Sequence, residues 1–162
     1  MGETMDALRE SPVGRYYEEL EVNARFDTPR RTILDVDIVQ FAGLTADFNP
    51  LHTDDIFASQ SDFRGRVAHG PMLVGMAFGL ASRAGLLDGT ALALLDITWK
   101  FTKPVRPGDT VFVKIHVAKK EPARKEDRGV VEFGLDIINQ RDETVQSGTA
   151  KMLMKRRPST VA

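Results

Sequence analysis

A carboxylate and an imidazole, Asp47 and His52, stand five residues apart in the run Ala42-Gly43-Leu44-Thr45-Ala46-Asp47-Phe48-Asn49-Pro50-Leu51-His52. A continuous helix brings residues three or four apart onto one face, but Pro50 disfavours the helical conformation at Asn49. The spacing therefore predicts Asp47 at the end of a helix and His52 on the loop that leaves it. The bend between them can aim both side chains at one point, where they would bind and activate a water. Seventeen residues further on, Ala68-His69-Gly70-Pro71-Met72 reads as the start of a long apolar helix. A helix start offers unpaired N–H groups and a partial positive charge. An acid/base pair beside such an anion-stabilising end points to chemistry next to a carbonyl group.

Around this pair, Asn49 is expected to hold the loop and His69 to brace the entry to the long helix. His116 falls on the polar face of a strand and is expected to be solvated. Three histidines with carboxylates raise the question of a metal, yet no His-x-x-x-His pair or close ligand cluster is visible, so no metal is expected. No Gly-rich phosphate loop occurs, and no nucleotide cofactor is expected. The chain has no cysteine, which excludes disulfides, cysteine-ligated zinc and thiol catalysis.

The elements that must position these groups follow from the apolar pattern. Ala24 to Thr32 is a short extended segment interrupted by Pro29. A helix beginning at Asp35 or Asp37 and running to about Ala46 is expected to carry Val36, Val39, Phe41 and Ala42 inward. Ile56 to Gln60 reads as one helical turn and Ser61 to Val67 as loop. From Gly70 to about Ala84 nearly every position is apolar or small, the mark of a helix buried all round. Pro71 suits the first helical position, Gly85 a C-terminal stop, and Gly75 and Gly79 would let another backbone come close. Four strands follow: Ala91 to Phe101, Thr110 to Lys119, one with Val131, Phe133, Leu135 and Ile137 on its inner face, and Thr144 to Lys155. Lys119-Lys120 and Arg124-Lys125 are expected in the turn between the second and third of these. Segregated helices and strands imply α+β with an antiparallel sheet. The simplest packing is a β-sheet wrapped around the long central α-helix.

At 162 residues this is expected to be one domain, over 16–157, with a flexible lead-in at 1–15 and a tail at 158–162. The lead-in lacks the hydrophobic core of a signal peptide. The formal charge of -1 argues against nucleic-acid or membrane-surface partners. The apolar run Met72 to Ala81 falls short of the ~20 residues of a membrane span, so a cytoplasmic protein is expected.

The run Asp47-Phe48-Asn49-Pro50-Leu51-His52, together with His69-Gly70, resembles the MaoC-like hydratases, or (R)-specific enoyl-CoA hydratases, of the hot-dog fold. The resemblance extends over roughly Tyr16 to Lys155. It includes Phe101-Thr102-Lys103-Pro104-Val105-Arg106-Pro107-Gly108-Asp109, which is similar to the family's turn between two strands. It implies a single hot-dog domain that reversibly hydrates a (2E)-enoyl-CoA to a (3R)-3-hydroxyacyl-CoA without a cofactor. By the same resemblance Asp47 and His52 are the catalytic pair, the N–H of Gly70 contacts the thioester oxygen, and the partner is a second copy in a homodimer or larger assembly. Lys103 and Arg106 are candidates for the CoA phosphates, as are Lys119-Lys120 and Arg124-Lys125. Asp47 is expected chiefly as base, with His52 orienting the water and sharing proton transfer. Rival readings are a hydratase of branched or dicarboxylic acyl-CoA, a thioesterase on the same fold, and an acyl-CoA-binding protein without turnover.

Overall fold

A computed structural model describes residues 14–158. The expected lead-in and tail lie largely outside the described residues. At their inner margin, the N–H of Gly14 donates to Asp88 O at 2.8 Å and that of Arg15 to Leu86 O at 3.1 Å.

Helix α1 (Asp35–Thr45) starts where Asp37 accepts the Leu34 N–H at 2.9 Å and pairs with Arg31. It ends at Ala46, whose φ of 60° turns the chain out of the helix. Only Ile38 and Ala42 face fully inward, while Val36 and Val39 are half exposed, against expectation. One stripe of a helix one turn wide can meet the core, and Ile38 and Ala42, four apart, define it. Two short helices follow, α2 (Pro50–Thr53) and α3 (Asp55–Gln60), then α4 (Gly70–Arg83). Helix α4 seats Met72, Leu73, Ala77, Leu80 and Ala81 against the sheet. It is not buried all round, because Pro71, Gly75 and Gly79 form an exposed row. Among the described residues, nothing beyond the helix's own backbone comes within 4 Å of a Cβ placed at Gly75 or Gly79, so neither glycine serves a close approach there. Pro71 takes the second helical position, after Gly70.

The strands are β1 (Arg25–Asp27), β2 (Arg31–Thr32), β3 (Ala91–Phe101), β4 (Thr110–Pro122), β5 (Arg128–Ile138) and β6 (Thr144–Lys155). They form one antiparallel sheet in the order β1-β4-β5-β6-β3, with β2 also on β4. Alternation places Val111, Val113, Ile115 and Val117 of β4 and Val131, Phe133, Leu135 and Ile137 of β5 in the core, all nearly inaccessible. Lys119 and Lys120 belong to β4, which runs past them to Pro122 and moves the turn to 123–127. His116 is half-buried, its ring lying over Gly134 on β5. The expected sheet wrapped on one long helix is what forms. No helix among the described residues is long and apolar enough to cross a membrane.

Among the described residues, β3 pairs only with β6, and its other edge has no partner strand. Leu92, Leu94, Leu95, Ile97 and Phe101 on it are exposed, and Leu94, Ile97 and Phe101 lie opposite the buried Met152, Ala150 and Gln146 of β6.

Leu73→Ala, which hollows the helix–sheet contact, should cost about 2–5 kcal/mol in urea unfolding, whereas Val39→Ala should cost under about 1 kcal/mol. Equal losses at the two positions would mean that α1 is turned differently from the arrangement described.

Candidate active site

The turn after α1 brings Asp47 to the surface, its side chain half exposed. Two residues on, Asn49 caps α2: its Oδ1 accepts the Leu51 N–H at 3.0 Å, and Pro50 fills the first helical position. His52 therefore sits on a single helical turn rather than on the open loop that the spacing suggests. The break at Asn49 ends one helix and starts another. Asn49 also donates its own N–H to Asp47 Oδ1 at 3.3 Å, so one residue sets the cap and steadies the carboxylate.

His52 Nδ1 lies 2.7 Å from Val67 O. A carbonyl only accepts, so Nδ1 carries the hydrogen and Nε2 is left to take up or deliver a proton. His69, 1% exposed, stands just before α4, and its Nε2–H donates to Asp47 O at 2.9 Å. Its Nδ1 is buried with no hydrogen-bond partner among the described residues. The His52 and His69 rings lie 3.8 Å apart between centroids, tilted by 30°, and Phe41 packs on His69 at 5.0 Å. Asp47 Oδ2 is 4.0 Å from His69 Nε2. One donor atom from each of Asp47, His52 and His69 falls within 4.8 Å of the others. The expected convergence of Asp47 and His52 is present, and His69 joins it. A close cluster of potential ligands thus exists where none was expected from the sequence. Asp47 and His52 are near in the chain, but His69 comes seventeen residues after His52 and joins them only through the fold. The donor set suits a cation poorly, because His69 Nε2 is already committed to the Asp47 carbonyl.

Beside this cluster opens a cavity of about 350 Å³ with largely apolar walls, bounded by His52, Gly70, Phe101, Lys103, Val105 and Gln146 among others. Asp47 stands at its margin rather than in its wall. Gly70 begins α4 and meets the ring of Phe101 so closely that a Cβ would sit 2.9 Å from two of its carbons. Only glycine allows that approach. Gln146 escaped the sequence reading. It is 3% exposed on β6, on the face shared with Ala150, Met152 and Met154. A lone polar residue on the inner face of an alternating strand was the available signal.

Lys103 lies at the cavity wall with Nζ 2.7 Å from Glu143. Hydrogen bonds from Lys103, Asn139 and Arg141 hold the Glu143 carboxyl down at about 2. Any stability Glu143 adds is therefore fully present above the ordinary carboxylate range and lost progressively as pH falls from that range through about 2. Arg106 is not in the wall. Its guanidinium donates to Phe63 O and to Arg66 O, pinning the 61–67 loop. Arg66 in turn joins Asp35 of α1 at 2.8 Å and Asp55 of α3 at 2.5 Å, and the bond to Asp55 raises the guanidinium above its ordinary value. Arg124 and Lys125 lie in the 123–127 turn, away from the cavity lining.

Residues 19–136 match the model of the MaoC like domain, and the chain belongs to that family. It is 34% identical over 110 residues to the (R)-specific enoyl-CoA hydratase of Rhodospirillum rubrum, an alignment spanning 68% of this chain and 74% of the relative. It is 37% identical over 119 residues to protein MaoC of Klebsiella aerogenes, covering 74% of this chain but only 35% of that longer protein. The fold matches a double hotdog structure from Mycobacterium tuberculosis with a TM-score of 0.81, over 93% of this chain and 47% of that one, at 17% identity. The sheet around α4 is thus a hot-dog fold, present here as a single unit.

Gly70→Ala should destabilise the protein by about 1–3 kcal/mol through the clash with Phe101. In the Gly70→Ala, Phe101→Ala double variant the losses should be less than additive when measured by urea unfolding. Additive losses would show that the ring does not rest on residue 70.

Proposed function

We propose that this protein is a hydro-lyase that reversibly hydrates a (2E)-enoyl-CoA to a (3R)-3-hydroxyacyl-CoA, with Asp47 and His52 activating the water and no metal or cofactor taking part. The observation that carries the reading is the meeting of Asp47 and His52 at the mouth of an apolar cavity whose wall includes the start of α4. Family membership and the resemblance to a named (R)-specific enoyl-CoA hydratase support it.

Adding water across a double bond conjugated with a thioester makes three demands. The water must lose a proton as its oxygen attacks C3, the charge that grows on the thioester oxygen must be stabilised, and C2 must gain a proton. Asp47 accepts the water's proton. His52, its Nδ1–H tied to Val67 O, keeps Nε2 directed to the same water and shares in the transfer to C2. Positioned acid–base groups are worth ~10²–10⁴-fold in rate. The N–H of Gly70 meets the thioester oxygen, and one such donor is worth roughly 10²–10³. The apolar walls take the acyl chain. Lys103 turns from Glu143 to the CoA phosphates, a cheap exchange because an ion pair exposed to water adds little. Arg106 is occupied with the 61–67 loop and contributes by holding that wall. A second copy covers the free apolar edge of β3 to give a homodimer, since an exposed edge strand of this length invites pairing.

Purified protein mixed with crotonyl-CoA should bleach the enoyl-thioester absorbance at neutral pH. Asp47→Asn and His52→Ala should each slow the reaction at least ~100-fold while leaving the fold intact by circular dichroism. Wild-type protein inert towards enoyl-CoAs of several chain lengths, branched and dicarboxylic ones included, would overturn the proposal, and release of free CoA without hydration would make it a thioesterase. EDTA treatment should leave the rate unchanged. Loss of activity with recovery on adding a divalent cation would instead put a metal at the Asp47, His52 and His69 cluster.

A further inference from the structure

The Gly70 N–H works only if the glycine is held still, and two peptides meet at its α-carbon: the N–H belongs to the His69–Gly70 peptide, whose carbonyl accepts the Met72 N–H at 3.1 Å, and the carbonyl belongs to the Gly70–Pro71 peptide. Glycine has the widest backbone freedom of any residue, and the proline that follows disfavours a helical conformation in the residue before it. Gly70 nevertheless begins α4, so a contact from outside the helix adds to the hold that the helix itself gives. The side chain that reaches it is Gln146 of β6, whose Nε2 donates to Gly70 O at 3.3 Å.

The orientation of that amide is set from its other end. Trp99 of β3 donates its indole Nε1–H to Gln146 Oε1 at 2.9 Å. An indole nitrogen only donates and a main-chain carbonyl only accepts, so the amide can satisfy both neighbours in one orientation and not in the flipped one. The indole in turn is placed by Gly148, its cross-strand partner, where a Cβ would strike the Trp99 ring. Phe101, the cross-strand partner of Gln146, closes on the other side of Gly70. Gln146 is 3% exposed and its amide borders the cavity, so water does not readily replace either bond.

We infer that Gln146 is a positioning residue: oriented by Trp99, it anchors the Gly70 carbonyl and with it the glycine's α-carbon, so that the N–H on the other side of that carbon stays aimed at the thioester oxygen. The inference rests on the hydratase reading for its catalytic consequence and on the hydrogen-bond chain alone for its structural one. A misaimed donor weakens the transition state more than the bound substrate, so the turnover number should suffer and KM should not.

The test uses four full-length proteins: wild type, Gln146→Met, Trp99→Phe and the double variant. For each, kcat and KM for crotonyl-CoA hydration are measured, with the thermal midpoint and the ¹H–¹⁵N resonance of Gly70. Gln146→Met should lower kcat about tenfold, a fraction of what an oxyanion donor is worth, with KM changed less than about twofold. Trp99→Phe should lower kcat in the same sense but less, and add nothing in the Gln146→Met background, because both act through one chain. The Gly70 resonance should shift or broaden in all three variants. An unchanged kcat in Gln146→Met, independent losses that multiply in the double variant, or a Gly70 resonance that stays put would each overturn the inference. If wild type hydrates nothing, the proposed function fails, and the clamp is then judged on the Gly70 resonance alone.

Discussion

The hydrogen bond from His69 Nε2 to the Asp47 carbonyl is the contact on which the arrangement of the site turns. It joins the residue just before α4 to the residue just after α1, two helix ends otherwise separated by twenty-odd residues of short helix and loop. Because His69 is buried, that bond is sheltered from water and worth more than a surface contact of the same length. The ring also forms the surface on which the His52 imidazole stacks. One side chain thereby sets the main chain at Asp47, the plane of His52 and the approach to Gly70. Replacing it would disturb three groups at once, which is why the bracing role expected of His69 understates its place in the geometry.

Much of the architecture was legible because it follows from periodicity. Alternate valines in β4 and alternate large residues in β5 have one face to bury, and the sheet buries it. The extents of β3 and β6 and the near extent of α4 were readable for the same reason. What was not legible depended on partners distant in the chain. The apolar composition of α4 implies burial on every side, but a sheet covers one side of a helix, and the row of Pro71, Gly75 and Gly79 is what remains open. In α1, composition could not separate Ile38 and Ala42 from Val36 and Val39, since all four are apolar and only the docking angle chooses. The basic residues illustrate the same limit. Arg106 follows Lys103 by three positions, yet one lines the cavity and the other pins a loop, because the carbonyls of Phe63 and Arg66 lie within reach of only one of them.

At the site, the pairing of Asp47 with His52 was readable from type and spacing, while the means of achieving it was not. The Asn-Pro break reads as a loop because proline opposes helix at the residue before it. The same proline is favoured at the first position of a new helix, and Asn49 is a good cap for one. Both rules hold at once, and the outcome is a single turn that presents His52 from a rigid support. A histidine so mounted, its Nδ1–H spent on Val67 O, has one nitrogen left for chemistry. Under the proposed hydratase reading, that would restrict the proton to a defined path in a way that a loop histidine would not.

The strand at the free edge of the sheet also supplies the site. Trp99 and Phe101 both belong to β3, and both bear on Gly70, one through Gln146 and one through its ring. An unpaired edge strand is the part of a sheet most free to fray, since half its main-chain groups bond only to water. If a second copy covers that edge, as proposed, it does more than hide Leu92, Leu94 and Ile97. It removes the fraying of the strand that orients the Gln146 amide, and so stiffens the peptide beneath the thioester oxygen. Association and preorganisation of the anion-stabilising donor would then be one event rather than two. On that proposal a monomer would retain Asp47, His52 and the cavity, yet hold the proposed oxyanion donor less firmly than a dimer would.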